Sequence, residues 1–352
     1  MILLCDVWVI YFSIVGKGKR NLIKLFAPFM AEPTTIIPIA GGKGGVGKSF
    51  VTANLAVALA RRGHRTIAVD LDLGNSNLHS LLGLQNRYPG VGEYLRGTVK
   101  CAPTELIVET SVPGLGFIPG DGRMPFMANI TYNQKLAIFR LLKALPARYI
   151  LLDLSAGTAY NTLDLFQIAK SGIVVTTPEY PAIMSALVFV KNLVLRLIDQ
   201  QLRRGIKDKE RLNELYKQSV NDPMFTVEKF RRDLAKEEPE AAAAIEGICR
   251  RIRPRLVYNM VESIKDTEVF FNIDRTFAEV LSIQCDHVGV IPYDKRIRQF
   301  LKEPGIFLID GPKSPTTETI DRLAHRVVHL WDMPLEGSAE VLAEYARKVL
   351  PE

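Results

Sequence analysis

Eight consecutive residues, Gly42-Lys43-Gly44-Gly45-Val46-Gly47-Lys48-Ser49, have the spacing of a phosphate-binding loop: glycine, four residues, then Gly-Lys-Ser. Glycines let successive backbone N–H groups converge on phosphate oxygens with no Cβ in the way. A helix opening at the end of the loop adds the positive end of its dipole. Lys48 is placed to reach the β- and γ-phosphates of a nucleotide, and the Ser49 hydroxyl to coordinate Mg2+. The flanks favour this chemistry over a chance glycine-rich turn. Thr34 to Ala40 is a short β-rich run that leads into the loop, although Pro38 within it is awkward for a strand paired on both sides. Ser49 to Arg62 reads as a helix, with Val51, Leu55, Val57 and Leu59 among its apolar positions and Gly63 as its stop.

Carboxylates stand at two further strand ends. Thr66 to Asp70 is a β run that closes on Asp70-Leu71-Asp72, and Tyr149 to Leu154 is an apolar run that closes on Asp153. For Asp70 and Asp72 the plainer role is to cap the turn after the strand. Asn259 stands at a strand end, where its plain role is that of a turn residue.

The elements that must position these residues follow from periodicity. Gly114 to Pro119, Gly172 to Thr177, Arg255 to Met260 and His287 to Ile291 read as strands. Gln134 to Leu145, Asn161 to Ala169, Ala182 to Arg204, Thr317 to Trp331 and Ala339 to Val349 read as helices. Strands separated by helix-length segments imply a doubly wound α/β architecture, a mostly parallel sheet with helices on both faces. The expected organisation is an N-terminal extension over 1–33, one nucleotide-binding domain over 34–335 with a charged helical insertion at about 202–253, and a C-terminal helix over 336–352.

Composition narrows the function classes. With 47% apolar and 24% charged residues among 352, the chain has ample material for a core. Its formal charge of +7 suggests affinity for polyanions. Between Lys191 and Arg255 there are 16 basic and 11 acidic side chains, a mixture that suits a solvated helical face better than a nucleic-acid surface. Cys5, Cys101, Cys249 and Cys285 form no CxxC pair, and the five histidines show no metal-ligand spacing, which argues against a zinc site, a disulfide framework or a metal-cluster carrier. A reducing, cytoplasmic setting is expected. Met1 to Val15 is largely apolar, but Lys17-Gly18-Lys19-Arg20 follows it, the reverse of a secretory signal. Fifteen residues are also few for a membrane span, which needs about 20. Translation starting at Met30 is the expectation, with a short interfacial anchor as the second reading.

The glycine loop, with its second lysine Lys43 near the start, resembles the deviant phosphate loop of the MinD/ParA family of P-loop ATPases. Other segments match in order. Val69-Asp70-Leu71-Asp72-Leu73-Gly74-Asn75-Ser76-Asn77-Leu78 resembles that family's first switch, and Tyr149-Ile150-Leu151-Leu152-Asp153-Leu154-Ser155-Ala156-Gly157 its Walker B strand and second switch. Val174-Val175-Thr176-Thr177-Pro178-Glu179 resembles the loop after the next strand. Val257-Tyr258-Asn259-Met260 and Gly289-Val290-Ile291-Pro292 resemble the base-binding segments. The likeness runs from about Thr34 to Arg326.

The resemblance implies an ATP-binding, ATP-hydrolysing chain using Mg2+. Gly42, Lys43, Gly44, Gly45, Val46, Gly47, Lys48 and Ser49 would hold the phosphates, and Asn259 and Pro292 the base. Ser49 and Asp153, assisted by Asp70, would hold the metal, and Asp72 would orient the attacking water. Lys43 would reach the phosphates of a second protomer, so that ATP drives a homodimer. Hydrolysis would be slow without a protein activator or cargo, and the role would be spatial positioning or regulation in cell division, flagellar number or segregation. The alternatives are a partition ATPase that binds DNA non-specifically and an amidating synthase of the cobyrinate type. Two features depart from the simplest pattern. The charged segment from about Leu202 to Arg253 is long, and the C-terminal helix sets Val341, Leu342, Tyr345 and Val349 opposite Glu340, Glu344, Arg347 and Lys348. A membrane-targeting helix wants a lysine-rich polar face. This acid-balanced one is expected to pack in a core or a dimer, so peripheral membrane contact is not favoured.

Overall fold

Runs such as Thr35–Ala40, Thr66–Leu71 and Tyr149–Leu154 are apolar nearly throughout rather than alternating, the pattern of strands covered on both faces. In the computed structural model, which describes residues 33–120, 130–205, 217, 222 and 224–351, they form the middle of an eight-stranded sheet. The strands are β1 (Thr35–Ala40), β2 (Thr66–Leu71), β3 (Val108–Glu109), β4 (Leu115–Ile118), β5 (Tyr149–Leu154), β6 (Ile173–Thr176), β7 (Arg255–Val261) and β8 (Asp286–Pro292). Their order is β3-β4-β2-β5-β1-β6-β7-β8, parallel throughout except for the antiparallel pair β3 and β4. Pro38 is tolerated because β6 pairs with β1 only from Ile39 onward, which leaves one flank of the proline outside any ladder.

The principal helices are α1 (Lys48–Arg61), α2 (Tyr132–Ala144), α3 (Tyr180–Gly205), α4 (Val227–Leu234), α5 (Pro239–Arg251), α6 (Glu268–Thr276), α7 (Lys295–Phe300), α8 (Pro315–Leu330) and α9 (Ser338–Val349). Strand side chains alternate between two cores. Ile150, Leu152 and Leu154 point into one with α2, α3, α5 and α9, while Tyr149 and Leu151 point into the other with α1 and α8. Each fully buried aliphatic side chain contributes about 1.5–3 kcal/mol, and both faces of the central strands collect it. Element boundaries fall within a few residues of expectation. The short β3 strand and helices α6 and α7 were not anticipated.

The chain from Thr35 onward forms one compact unit, and α9 belongs to it. Helix α9 packs on β8 and buries Ala339, Leu342, Ala343 and Ala346, the core packing expected of its acid-balanced polar face. Of the apolar side read from the sequence, Leu342 is fully buried and Tyr345 and Val349 pack partly buried against the core, while Val341 is 57% exposed. Tyr345 also lies under Arg322, whose guanidinium carbon is 4.0 Å from the ring centroid. Small alanines let the helix approach the sheet, which the larger side chains would prevent. Residues 1–32, with the alternative start Met30, lie outside the described residues, as do Lys207 and Lys209 of the insertion.

Several basic side chains of the insertion are tied to acids: Arg203 to Asp199, Lys229 to Asp222, Arg231 to Glu228 and Glu246, Lys236 to Asp233, and Arg250 to Glu246. Helix α3 is long and apolar enough, by length and composition, to cross a membrane, with half of its most apolar window buried. Its inner stripe of Phe189, Val190, Leu193, Val194 and Ile198 is core against the sheet.

Candidate nucleotide site

Strand β1 ends at Ala40, and the glycine loop turns the chain back into α1. Two glycines show why the loop tolerates nothing larger. A Cβ at Gly42 would lie 2.0 Å from the backbone oxygen of Ser185, and Gly47 has φ of 89° with the amide nitrogen of Asn259 where a side chain would begin. Gly47 is the N-cap of α1, so the unpaired N–H groups of the first turn face the loop.

A cavity of about 750 Å3 opens at this end of the sheet. Gly44, Gly45, Gly47, Lys48, Ser49, Asp72, Asn259 and Pro292 all line it. Of the remaining expected residues, Val46 is buried in the core and its carbonyl accepts a hydrogen bond from Asn259 Nδ2 at 2.9 Å. Asn259 therefore braces the phosphate loop as well as facing the cavity. Lys43 and Gly42 do not line it: Gly42 packs on the backbone at Ser185, and Lys43 stands exposed.

The acidic residues sit at the C-terminal ends of adjacent strands. Asp70 of β2 and Asp153 of β5 are register partners, both almost wholly buried. Burial and then the charge of Asp153 raise the Asp70 carboxyl above its ordinary value. Burial also raises Asp153, against the pull of the Ser49 hydroxyl and the Lys48 ammonium. Two buried carboxylates beside each other, with a serine hydroxyl bonded to one of them, fit a divalent cation. The two acids differ in what else they hold. Asp153 accepts from Thr52 Oγ1 at 3.3 Å and from Ser49. Asp70 caps the loop after β2, accepting from the Asp72 N–H at 3.0 Å, the Ser76 hydroxyl at 2.6 Å and the Leu78 N–H at 3.2 Å. Both Asp70 oxygens thus shape the segment that carries Asp72. Asp72 in turn accepts from Ser155 Oγ at 2.9 Å, which ties the loop after β2 to the loop after β5.

Several site residues escaped sequence reasoning. Thr52 and Ser155 were signalled only by standing within a turn of the loop serine and two positions after Asp153. Met260, Tyr293, Ile297, Arg298 and Leu301 complete the wall of the cavity. Met260 has φ of 57°, at a break in the β7–β8 register, which turns the chain beside the cavity. Asp294 caps α7, its carboxylate accepting from the Arg296 N–H at 2.9 Å.

Comparison with known proteins agrees with this geometry. Residues 37–303 match the family model described as the CobQ/CobB/MinD/ParA nucleotide binding domain. A putative septum site-determining protein MinD of Guillardia theta is 35% identical over 214 residues, covering 57% of this chain and 71% of that protein. The flagellum site-determining protein YlxH of Helicobacter pylori is 34% identical over 162 residues, covering 45% of this chain and 53% of its own length. Among solved structures, the septum site-determining protein MinD from Pyrococcus horikoshii, complexed with Mg-ADP, superposes with a TM-score of 0.54 at 20% identity, covering 85% of this chain and 98% of that one. Cobyrinic acid a,c-diamide synthase from Mycobacterium smegmatis, with bound ADP and magnesium, reaches 0.55 at 17% identity, covering 85% and 96%. At such identities the structural likeness speaks for the fold, whereas the family match spans the loop, both carboxylate strands and Asn259. By that match this chain is a member of the CobQ/CobB/MinD/ParA family of P-loop nucleotide-binding proteins.

Proposed function

We propose that this chain is a Mg2+-dependent ATPase of the MinD/ParA type, a cytoplasmic switch that dimerises on ATP and serves spatial positioning or regulation through a protein partner. The observation that carries the reading is the contrast between the two lysines of one loop. Lys48 is buried beside Asp153, within reach of a nucleotide in its own cavity, whereas Lys43 projects from the same loop into solvent. A lysine held at the rim of a phosphate site, but outside its cavity, is placed to serve the phosphates of a second copy.

Ser49 and Asp153 would hold Mg2+, which when bound neutralises phosphate charge. The backbone N–H groups from Gly44 to Lys48 orient the phosphates, and Lys48 balances charge at them. Asp72 holds the attacking water in line, its carboxylate steered by Ser155 and its loop shaped by Asp70. Asn259, Pro292 and Tyr293 form the wall for the base.

Lys43→Ala is expected to keep ATP binding, since Lys48 and the amides remain, but to lose ATP-dependent dimerisation and with it hydrolysis, on the order of 10^3-fold. Asp72→Ala is expected to bind ATP, dimerise and remain dimeric. Sedimentation of both variants with and without Mg-ATP reads the two outcomes. A Lys43→Ala protein that dimerises and hydrolyses normally would reduce the chain to a P-loop ATPase working alone. The DNA-binding alternative is not favoured, because several basic side chains of the insertion pair with acids of the same fold.

A further inference from the structure

The nucleotide cavity lies at the C-terminal ends of the strands, and a second cluster of chemically capable side chains lies at the opposite end of β8. His287 is the second residue of that strand, Cys285 immediately precedes it, and Asp274 comes from α6. The Cys-x-His spacing on extended backbone turns both side chains to one face, and the fold supplies the carboxylate. Cys285 Sγ is 3.0 Å from Asp274 Oδ1 and 3.7 Å from His287 Nε2, which is itself 2.9 Å from the same Asp274 oxygen.

We infer that Asp274 Oδ1, Cys285 Sγ and His287 Nε2 form a binding site for one divalent cation of the zinc type, with a fourth coordination position open to solvent. One oxygen, one nitrogen and one sulfur form a donor set that zinc accepts. With ordinary zinc–ligand bond lengths, a tetrahedral ion needs its donors about 3.3–3.6 Å apart. The observed separations are within about half an ångström of that. Cys285 and His287 are buried, and Asp274 is the partly exposed member, so an ion would enter and keep its open position on the Asp274 side.

The surroundings orient the imidazole as a ligand requires. The other ring nitrogen, Nδ1, is 2.8 Å from the hydroxyl of the wholly buried Tyr258. The Tyr258 ring stacks on His287 at 5.7 Å with an interplanar angle of 5°, and Phe270 packs on Tyr258 at 4.1 Å. A hydroxyl both donates and accepts. It can therefore donate to Nδ1 while Nε2–H faces Asp274, and accept from Nδ1–H when Nε2 binds metal. Such a partner fixes the tautomer of a metal-bound histidine.

Charge and proton balance also suit a cation. A thiolate, a carboxylate and a neutral imidazole bring two negative charges to an ion with two positive ones. Binding converts the thiol to thiolate and releases its proton to solvent, while the imidazole exchanges its Nε2 proton for one at Nδ1. Without an ion, Cys285 is a poor nucleophile: burial, and then Asp274, push its thiol far above the ordinary value.

The test uses the full chain, stripped with a chelator and kept free of nucleotide, titrated with Co2+ and then Zn2+. One equivalent of Co2+ is expected to give thiolate-to-cobalt charge-transfer absorption that Zn2+ abolishes, with about one proton released per Zn2+ bound. A cation held by Ser49 and Asp153 gives no sulfur band, so the nucleotide site does not confuse the reading. Cys285→Ser is expected to lose the band. Tyr258→Phe is expected to keep it, with affinity about 10–100-fold lower. Where Cys285→Ser fails to fold by circular dichroism, Asp274→Asn, at the partly exposed position, is expected to weaken Co2+ binding in a folded protein. A folded wild-type protein without the band, the same band in Cys285→Ser, or unchanged Co2+ affinity in Asp274→Asn would each reduce the cluster to a hydrogen-bonded core network.

Discussion

Lys43 and Lys48 share one loop and meet opposite environments, and the difference is set by the helix that starts at the second of them. Lys48 is the first residue of α1 and is 7% exposed, drawn toward the buried Asp153. On the proposed reading its side chain supplies positive charge to the phosphates of the nucleotide. Lys48→Ala is therefore expected to abolish ATP binding, read by calorimetric titration with Mg-ATP; an unchanged affinity would count against the assignment of the loop. Residues of this kind were legible beforehand because a phosphate loop is local: backbone N–H groups, glycines and a lysine within eight positions suffice. Thr52 and Ser155 were not legible in the same way. A threonine on a helix and a serine after a strand become site residues only when the fold sets them beside Asp153 and Asp72.

The pairing of β2 with β5 does at the level of elements what no single residue does: it sets Asp70 against Asp153 in a dry place. Both carboxyls are raised, so the folded state holds protons that the unfolded chain has lost. Stability contributed by the pair is thus present below the unfolded carboxylate value and falls as pH rises through the elevated folded values. Asp153→Asn is expected to raise the melting temperature of the nucleotide-free protein at pH 8, by about 1.5 °C for each kcal/mol recovered. The gain should vanish near pH 4, while Mg-dependent nucleotide binding is lost at either pH. A thermal melt at both pH values decides it.

Strand β8 shows the opposite device, a buried charge that is paired. Asp286 accepts from Arg253 Nε at 2.7 Å and from the Leu335 N–H at 2.9 Å, and Arg255 Nε lies 3.5 Å away. Asp286→Ala leaves buried guanidinium without its partner and is expected to cost about 3–5 kcal/mol in urea unfolding.

At the scale of the whole molecule, the sheet divides its labour by strand end. The carboxyl ends of β1, β2, β5, β7 and β8 build the nucleotide cavity, where crevices of parallel sheets bind ligands. The described residues of the insertion between β6 and β7 do not line that cavity, and several of its cations are paired with acids. If the protein in its ATP form is mixed with long duplex DNA near physiological salt, weak or no binding is expected in a fluorescence titration. Tight, sequence-independent binding with a steep salt slope would promote the segregation reading instead. Helix α9, closing over β8, is part of this same body rather than an appendage. Deleting it would remove Leu342 and uncover the apolar core beneath, so loss of folding, rather than loss of targeting, is the physical consequence.

Much of this was determined by the order of residues alone. The phosphate loop, the apolar strand runs and their helix-length separations dictate a doubly wound sheet, because each depends on neighbours within about twenty positions: local periodicity, a turn that only glycine allows, a helix that caps an anion. The tertiary structure decided what depends on neighbours far along the chain. It set Asp70 as the cap of the Asp72 loop, gave Asn259 to the backbone of Val46, and turned α9 inward on its alanines. It also gathered Asp274, Cys285 and His287, although their spacing had argued against a metal site. In each case the deciding quantity is a distance between groups carried on different elements, and such distances are set by how helices pack on a sheet, which side chains read in order do not encode.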